Sequence, residues 1–412
     1  MRALVWLLVL GSVAAAAPRK PLKTKIQGAT QVFSAPWGLA AQGSGQLRTL
    51  PAGKTTWTTV RHVKGDSLYR IAFDDRGRLM AWWEKESEIH LFDQKKDIKI
   101  PLPKPPPAPE LKYGFGVEEM FFTSDGTGAI VYMHGFAGGR TWATVAYHIA
   151  FDKPGEPTLL YRQDGYSMHV ARRYAVYATP LNKNDACEHN SCYPLGAITA
   201  WEINGTKATK HVLLAPDAKN KFSRVRLIAG ADDDQVAIDI TEHPSKRHVL
   251  RWRAGDAKAA FAPVPDGPVK NDTEHIRLMK NGDLVEIWLT KERGLEIKRA
   301  PHKGDAKMVS VPPLPQRTKN DRPLFDIRGS FERPNGDLVF EWGEYLVVVP
   351  ADGSAVKRLD LRPLFGKQEI ESRVIYVRDP ESFWIGSRNG RAEDFINLPV
   401  ADVLERAKTL SL

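Results

Sequence analysis

The stretch "NGDLVEIW" occupies residues 281–288, and "NGDLVFEW" follows at 335–342. In each copy a turn of Asn, Gly and Asp leads into a mostly apolar strand that ends on Trp. Asn-Gly and Asp-Gly are strong short-range signals of a tight reversal between two strands. The two turn glycines are 54 positions apart, which is too far for one hairpin and indicates a repeated structural unit.

Six further stretches follow the same order of strand, turn and apolar strand. Aligned on the turn, the eight copies span 32–50, 69–87, 119–135, 168–180, 227–243, 276–290, 329–345 and 374–390. The spacing is 51 from Gly77 to Gly128 and 46 from Gly336 to Ser382. A period of roughly 40 to 50 residues with four short strands per unit is typical of a β-propeller blade.

The sequence therefore predicts an all-β fold, a β-propeller of eight four-stranded blades closed by N- and C-terminal strands. Seven blades are the alternative, because the first and last copies are the weakest. The segment "TKIQGATQVFS" (24–34) is the natural closing strand. Almost no stretch has the 3.6-residue apolar period of a helix, and the exception is the tail "PVADVLERAKTL" (399–410).

Tryptophans recur in or near the second or third strand of the copies. Because blade faces are large and flat, we expect these side chains to pack between blades. They are Trp82, Trp83, Trp201, Trp288, Trp342 and Trp384.

The repeat also resembles that of a known group of propellers. "DPESFWIGSRNG" (379–390), "DDRGRLMAWW" (74–83) and "NGDLVEIW" are similar to the repeat of two-component-regulator-type and related sensor propellers. In that repeat an acidic-Gly turn leads into a strand carrying Trp followed by a small residue. The resemblance implies the propeller fold and no particular chemistry.

One copy resembles a segment of sialidases. In "YRIAFDDRGRLMAWWEKES" (69–87) the first residues match a Tyr-Arg-Ile-Pro motif of sialidases. By this resemblance Arg70 would occupy the position of an arginine that binds the substrate carboxylate. Ala72 replaces the proline, however, and no Tyr-Glu nucleophile pair can be assigned. A sialidase-like or other sugar-acting hydrolase or lyase is thus the alternative function.

The N-terminus has the layout of a secretory signal peptide. Arg2 precedes the apolar run 3–10 and a series of small residues, with a suitable cleavage site after Ala16. No Cys follows, so a bacterial lipid anchor is not expected. The predicted organisation is a signal peptide (1–16), a basic N-terminal arm (17–29), a single propeller domain (30–405) and a C-terminal tail (406–412). The expected location is the periplasm or the cell exterior.

Cys187 and Cys192, in "CEHNSC", are the two cysteines of the chain. An even count in an exported protein favours a disulfide, which would contribute about 2 kcal/mol for so short a ring. Cys187, His189 and Cys192 could instead bind a metal, but a structural zinc site needs four ligands. The sequence therefore predicts a disulfide, no metal and no cofactor.

The formal net charge is +10, which favours encounters with anionic polymers or surfaces. The stretch "SKRHVLRWR" (245–253) is predicted to be a third strand, in which Arg247, Val249, Arg251 and Arg253 share one side. These three guanidiniums could bind phosphate or sulfate and are the predicted binding residues for a polyanion or partner. The alternative is a solvated strand face.

Two long interruptions separate strands of the predicted propeller. "IPLPKPPPAPELKYG" (100–114) is rich in proline and is either a stiff connector or a docking ligand for an aromatic groove. "TPLNKNDACEHNSCYPLG" (179–196) lies between the second and third strands of its copy and is a candidate recognition surface.

Catalytic motifs are missing from the sequence: it has no Gly-x-Ser-x-Gly elbow, His-Glu-x-x-His, Walker loop or dinucleotide fingerprint. His134 and His148 lie near predicted strand ends and could converge at one rim. We therefore predict an exported, non-catalytic binding or scaffold module. Its partner would be a protein or an anionic polysaccharide or surface, without sequence-specific nucleic-acid binding and without a transmembrane segment.

Overall fold

The computed structural model shows an almost entirely β-stranded chain arranged as an eight-bladed β-propeller. It describes residues 22–27, 29–63, 68–84, 86–93, 96–108, 114–136, 142–180, 187–188, 191–192, 195–215, 222–229, 234–242, 246–263, 273–290, 294–301, 305–314, 327–364, 373–378, 381–389 and 392–409.

The first strand, β1 (Leu22–Gln27), precedes blades that follow one another along the chain. Blade 1 comprises β2 (Ala29–Ala35), β3 (Gly38–Gly43), β4 (Gln46–Pro51) and β5 (Thr58–His62). Blade 2 comprises β6 (Leu68–Phe73), β7 (Leu79–Trp83), β8 (Glu88–Asp93) and β9 (Lys96–Pro101). Blade 3 comprises β10 (Phe115–Phe122), β11 (Gly128–Phe136), β12 (Trp142–Ala150) and β13 (Thr158–Asp164).

Blade 4 carries a small extra ladder between its second and third strands. It comprises β14 (Tyr166–Val170), β15 (Tyr174–Pro180), the ladder of β16 (Cys187–Glu188) and β17 (Ser191–Cys192), then β18 (Leu195–Asn204) and β19 (Lys207–Leu214). Blade 5 comprises β20 (Phe222–Ala229), β21 (Gln235–Glu242), β22 (Lys246–Arg253) and β23 (Ala260–Pro263).

The last three blades complete the ring. Blade 6 comprises β24 (Thr273–Leu278), β25 (Leu284–Leu289), β26 (Leu295–Ala300) and β27 (Lys307–Val311). Blade 7 comprises β28 (Ile327–Glu332), β29 (Leu338–Trp342), β30 (Tyr345–Val349) and β31 (Lys357–Asp360), followed by a 3-10 turn at Arg362–Leu364. Blade 8 comprises β32 (Arg373–Val377), β33 (Ser382–Asn389), β34 (Ala392–Pro399) and the N-terminal strand β1.

Strands from both ends of the chain close the ring. β1 pairs antiparallel with β34, with Leu22 opposite Asn397 and Gln27 opposite Ala392. The prediction of eight blades closed by N- and C-terminal strands is therefore confirmed, and the seven-blade alternative is wrong. The expected closing segment, 24–34, divides between the end of β1 and the start of blade 1.

The apolar core is distributed around the ring. Among the described residues, eight hydrophobic clusters occur, and each lies at one of the eight junctions between neighbouring blades. The second strands are buried on both faces; every residue of β3, β7 and β29 is buried. Since one blade cannot bury both of its flat faces alone, each needs its two neighbours.

The tryptophans pack between blades, as the repeat predicts. Trp83, Trp288, Trp342 and Trp384 are among the largest fully buried side chains. Trp201 is half-buried on a third strand and stacks on Tyr161 at 4.5 Å between ring centroids.

The two turns of the repeated octapeptide are neighbours in space. Gly282 and Gly336 have φ of 87° and 85°, a conformation that favours glycine. Arg299 joins the two turns, because its Nε donates to Asp283 at 2.7 Å and its Nη1 to the carbonyl of Gly336 at 3.3 Å. A similar arginine in blade 2, Arg78, bonds its own turn and the next one.

Strand direction gives the ring two different ends. The first strands of neighbouring blades contact one another, so they line the centre. We call the end where each first strand begins the entry end; it carries the connections between blades and those between second and third strands. The other, the turn end, carries the short reversals between first and second and between third and fourth strands. The two long interruptions, at 102–114 and 181–194, connect strands at the entry end.

The C-terminal segment packs against blades 7 and 8. The tail that has the helical period forms α1 (Val400–Arg406), with Val400 and Val403 buried, which confirms the predicted helix. A short strand, β35 (Lys408–Thr409), then pairs with β31 as a fifth strand of blade 7. Within the described part of the chain, no helix has the length and apolarity needed to cross a bilayer.

Candidate functional site

The predicted arginine strand is β22, the third strand of blade 5, as expected. Its alternation directs Val249, which is 2% exposed, into the cluster shared with blade 6, and it directs His248 and Trp252 to the opposite side. Arg251 is half-buried and Arg253 is exposed. The side chain of Arg247 lies outside the described residues. The arginine side of this strand therefore faces blade 6 at Val249, whereas Arg253, at the end of the strand, is exposed to solvent.

Arg251 and Arg253 line a groove of about 270 Å³ between blades 5 and 6, at the turn end. Arg253 Nη2 donates to Gln235 Oε1 at 3.1 Å and to the carbonyl of Lys280 at 3.2 Å, which ties blade 5 to the first turn of blade 6. Burial lowers the pKa of Arg251, and the nearby carboxylate of Asp283 partly offsets this effect by favouring the charged guanidinium. A guanidinium remains protonated at physiological pH in either case.

The lining of this groove carries an excess of positive charge. Lys258 joins Arg251 and Arg253, whereas Asp256 is the carboxylate among the lining residues. The adjacent groove of about 430 Å³, between blades 6 and 7, has equal numbers of each sign. Its charged residues are Lys280, Arg299, Lys307, Asp283, Asp305 and Glu332. The positive excess is thus a property of the blade 5–6 groove, which we call the basic groove.

A second group of polar side chains lies at the entry end. Its members are positioned by a break in strand register that recurs from blade to blade. In seven of the eight blades, the ladder between first and second strands shifts by one residue near the start of the first strand. Such a β-bulge re-aims the side chains beside it. In blades 2 and 3 the extra residues are Tyr69 and Glu118.

These two bulges bring Arg70 against the start of β10. Its Nη1 donates to the carbonyl of Tyr69 at 2.9 Å, and its Nε donates to the carbonyl of Glu118. The nearest carboxylate contact, from Nε to Glu119 Oε2, is 3.8 Å, which is longer than a hydrogen bond. Burial raises the pKa of Glu119 more than Arg70 lowers it. Tyr69 is 48% exposed, with the Arg70 guanidinium 4.4 Å from its ring centroid.

A buried polar chain continues from Glu118 into the junction of blades 3 and 4. His134 Nδ1 lies 3.7 Å from Glu118 Oε2 and 3.4 Å from Thr144 Oγ1. Burial lowers the pKa of His134 to about 4, so the ring is neutral at physiological pH. Deeper in the junction the hydroxyls of Tyr161 and Tyr177 are 2.8 Å apart. Burial raises the pKa of both phenols, so they act as neutral hydrogen-bonding groups.

The structure separates two histidines that the sequence suggested could converge. His134 is opposite Thr144 near the entry end of β11, whereas His148 is opposite Ile130 near the turn end of β12. The expectation of a shared rim is wrong, because strand positions so far apart in register lie at opposite ends of a sheet.

The two cysteines lie opposite each other in the small ladder of blade 4, where Cys187 is paired with Cys192. Their side chains, and His189, lie outside the described residues, so the disulfide stays a prediction. The predicted signal peptide, residues 1–16, also lies outside them and stays a prediction. In the described part of the chain, no cluster of three or more His, Cys, Asp or Glu is placed to hold a metal ion.

Sequence reasoning did not single out Lys258, Tyr69 or Glu119. Lys258 reaches the basic groove from a turn after β22, and a turn gives no periodic signal. Tyr69 and Glu119 owe their positions to bulges. A usable signal for the second bulge is the pair Glu118-Glu119, which interrupts the alternation of an otherwise apolar strand.

Comparisons with known proteins give distant likenesses in structure alone. No protein family matches the chain, and no curated protein does. Virginiamycin B lyase from Staphylococcus aureus is 12% identical at a TM-score of 0.38, over 92% of this chain and 100% of that one. YCF48 bound to D1 peptide is 11% identical at a TM-score of 0.43, over 91% and 94%. The WD40 domain of SCAP from fission yeast is 10% identical at 0.42, over 92% and 86%.

The comparisons leave both family resemblances of the sequence unconfirmed. The propeller fold does not depend on these comparisons, because the sheet topology of the chain shows it directly.

Proposed function

We propose that this protein is an exported, non-catalytic binding module whose basic groove holds an anionic group of a protein or polymer partner. The observation that carries the proposal is the lining of that groove, where three cations, Arg251, Arg253 and Lys258, outnumber the carboxylate of Asp256. Asp234, 3.9 Å from Arg253, and Asp283, near Arg251, lie outside that lining. Two of these cations are the arginines that the strand pattern predicted.

The groove suits an anionic group for physical reasons. Arg253 is held in place by Gln235 and by the backbone of blade 6, so little side-chain entropy is lost when an anion binds. A guanidinium also presents paired donors that match carboxylate, sulfate or phosphate oxygens. Lys258 is exposed and adds a mobile charge at the rim.

The experiment measures binding of the purified mature protein to immobilised heparin and to polyglutamate over a range of salt concentrations. We expect affinity to fall steeply as salt rises, because exposed charges are screened over ~8 Å at physiological ionic strength. Lys258→Glu should weaken binding about tenfold, since it reverses a charge at the groove without removing a structural contact.

Lys153→Glu is the matched control, because Lys153 is also an exposed lysine in a turn between third and fourth strands at the turn end. Equal losses from the two variants would indicate a general effect of net charge and would reject the groove. Binding that is insensitive to salt would reject the proposal as a whole.

Export is the second part of the proposal, and it rests on the layout of residues 1–16. Expression of the full chain in a bacterium, followed by fractionation and N-terminal sequencing, should give a periplasmic or secreted protein that begins at Ala17. An intact Met1 in the cytoplasmic fraction would contradict this part without affecting the groove.

A further inference from the structure

The polar group at the entry end differs in chemistry from the basic groove. Tyr69, Arg70 and Glu119 are 48%, 30% and 36% exposed, the last two measured on the side chain, so all three are accessible. Tyr69 and Arg70 lie at the start of β6, and Glu119 is the fifth of the eight residues of β10. The basic groove lies at the other end of the ring, between blades 5 and 6.

Several hydrogen-bonding atoms of this group are unused. Arg70 bonds backbone carbonyls through Nε and Nη1, and within the described residues its Nη2 has no partner. The hydroxyl of Tyr69 likewise has none in that part of the chain. Glu119 is bonded weakly, to the amide of Met120 at 3.4 Å. At 36% exposure the Glu119 carboxylate is accessible to water in the free protein, so its oxygens remain available to accept from a ligand.

Arg70 and Glu119 also fail to form the bidentate pair that their chemistry permits. The 3.8 Å contact joins Glu119 Oε2 to Arg70 Nε, whose hydrogen is already donated to the Glu118 carbonyl, so the donors left for a ligand beside this carboxylate are those of Nη2. A hydroxyl fits this arrangement, because it can accept from a guanidinium and donate to a carboxylate at the same time. The exposed ring of Tyr69 beside them offers an apolar face with a polar tip.

The local charge argues against an acidic ligand. Among the described residues of this group, two carboxylates, those of Glu118 and Glu119, accompany the guanidinium of Arg70. His134, beside Glu118, is neutral. An added negative charge would therefore be repelled, whereas an uncharged polyhydroxyl group would not.

From this juxtaposition we propose that Tyr69, Arg70 and Glu119 form a binding site for an uncharged carbohydrate. A sugar hydroxyl bridges Arg70 and Glu119, and the apolar side of the sugar ring packs against Tyr69. The site is independent of the basic groove, and it excludes the sugar acids that the sialidase resemblance would imply.

The test begins with an array of neutral oligosaccharides built from glucose, galactose, mannose and N-acetylglucosamine, together with sialylated and sulfated versions. The full mature protein should bind at least one neutral glycan, with no gain from added sialic acid or sulfate. Calorimetry with that glycan should show at least tenfold weaker binding for Glu119→Gln and for Tyr69→Ala. Glu119→Gln removes no strong contact of the folded protein, whereas Tyr69→Ala removes ring contacts with Arg70 and Trp82, so circular dichroism should verify that this variant stays folded.

Glu156→Gln is the control, because Glu156 is an exposed glutamate at the turn end. It should leave glycan binding unchanged, as should Lys258→Glu in the basic groove. Binding of no neutral glycan, or binding that Glu119→Gln and Tyr69→Ala both leave intact, would overturn the site. Preference for sialylated or sulfated glycans would overturn it too, as would capture of an uncharged tripeptide by the same residues.

Discussion

Arginine side chains link the turns of neighbouring blades in this ring. Arg299 and Arg78 each pair with an aspartate of their own turn and with the backbone of the next turn, and Arg333 pairs with Asp337 and with Glu381 of the next blade. These charge-assisted bonds are directional, whereas the apolar packing between blades is not. At these three junctions the arginines therefore favour one alignment of the neighbouring sheets.

His134 gives a prediction on acidity at the residue scale. Its pKa falls from an ordinary 6.5 to about 4 on folding, because the ring is buried. Between these values the unfolded chain takes up a proton that the folded chain does not, so stability should decrease as pH falls through this window. Above 6.5 the ring is neutral in both states and has no effect.

Urea unfolding of wild type and His134→Asn, at neutral pH and at a pH inside the window, measures this effect. Wild type should lose more free energy of unfolding on acidification than the variant does. A loss of equal size in both would show that other groups are responsible. An NMR titration of the His134 ring provides a direct check, with a midpoint expected near 4.

At the scale of elements, the helix α1 packs against the junction of blades 7 and 8. Val403 is fully buried in the cluster of that junction, together with Leu359 and Leu361. Val403→Ala should lower the free energy of unfolding by about 2 kcal/mol, from lost burial and the cavity left behind. Denaturant unfolding measures the change.

Glu405→Ala is the matched variant, since Glu405 is exposed on the same short helix. Its effect should stay within about 0.5 kcal/mol. If both substitutions had the same small effect, the helix would contribute no packing to the ring.

The sequence predicted the fold best at the level of individual turns and strands. The turns around Gly282 and Gly336, and the strands that follow them, could be read from turn residues and apolar patterning because these are local signals. The bulge at Tyr69 could not, because no residue pattern marks it, whereas the bulge at Glu118 had a usable signal in the pair Glu118-Glu119. The strand pattern therefore found Arg251 and Arg253 but missed Lys258, which lies in a turn, and Tyr69 and Glu119, which lie at or beside bulges.

For the whole molecule, closure of the ring depends on β1. Ile26 is 3% exposed and lies in the cluster that joins blades 8 and 1, with Trp384 and Phe395. Because each blade is stabilised by packing against its two neighbours, a weaker junction here should lower the stability of the whole ring. Ile26→Ser should shift a single cooperative transition to lower denaturant, by about 3 kcal/mol.

Tryptophan fluorescence and circular dichroism should report the same midpoint for that variant. Lys25→Ser, at the exposed neighbouring position on β1, should be close to neutral. Separate transitions by the two probes would mean that blade 8 unfolds alone and that the ring is not one cooperative unit.

The pairing of β1 with β34 has a consequence for the order of assembly. A chain that emerges N-terminus first releases β1 before any other strand, yet its partner, residues 392–399, arrives almost last. Seven sheets can thus stack while the first strand still waits for its place. When β34 is finally made, its vacant edge can pair either with β1 of the same molecule or with β1 of another, so a high local concentration of chains during synthesis should favour strand-exchanged dimers.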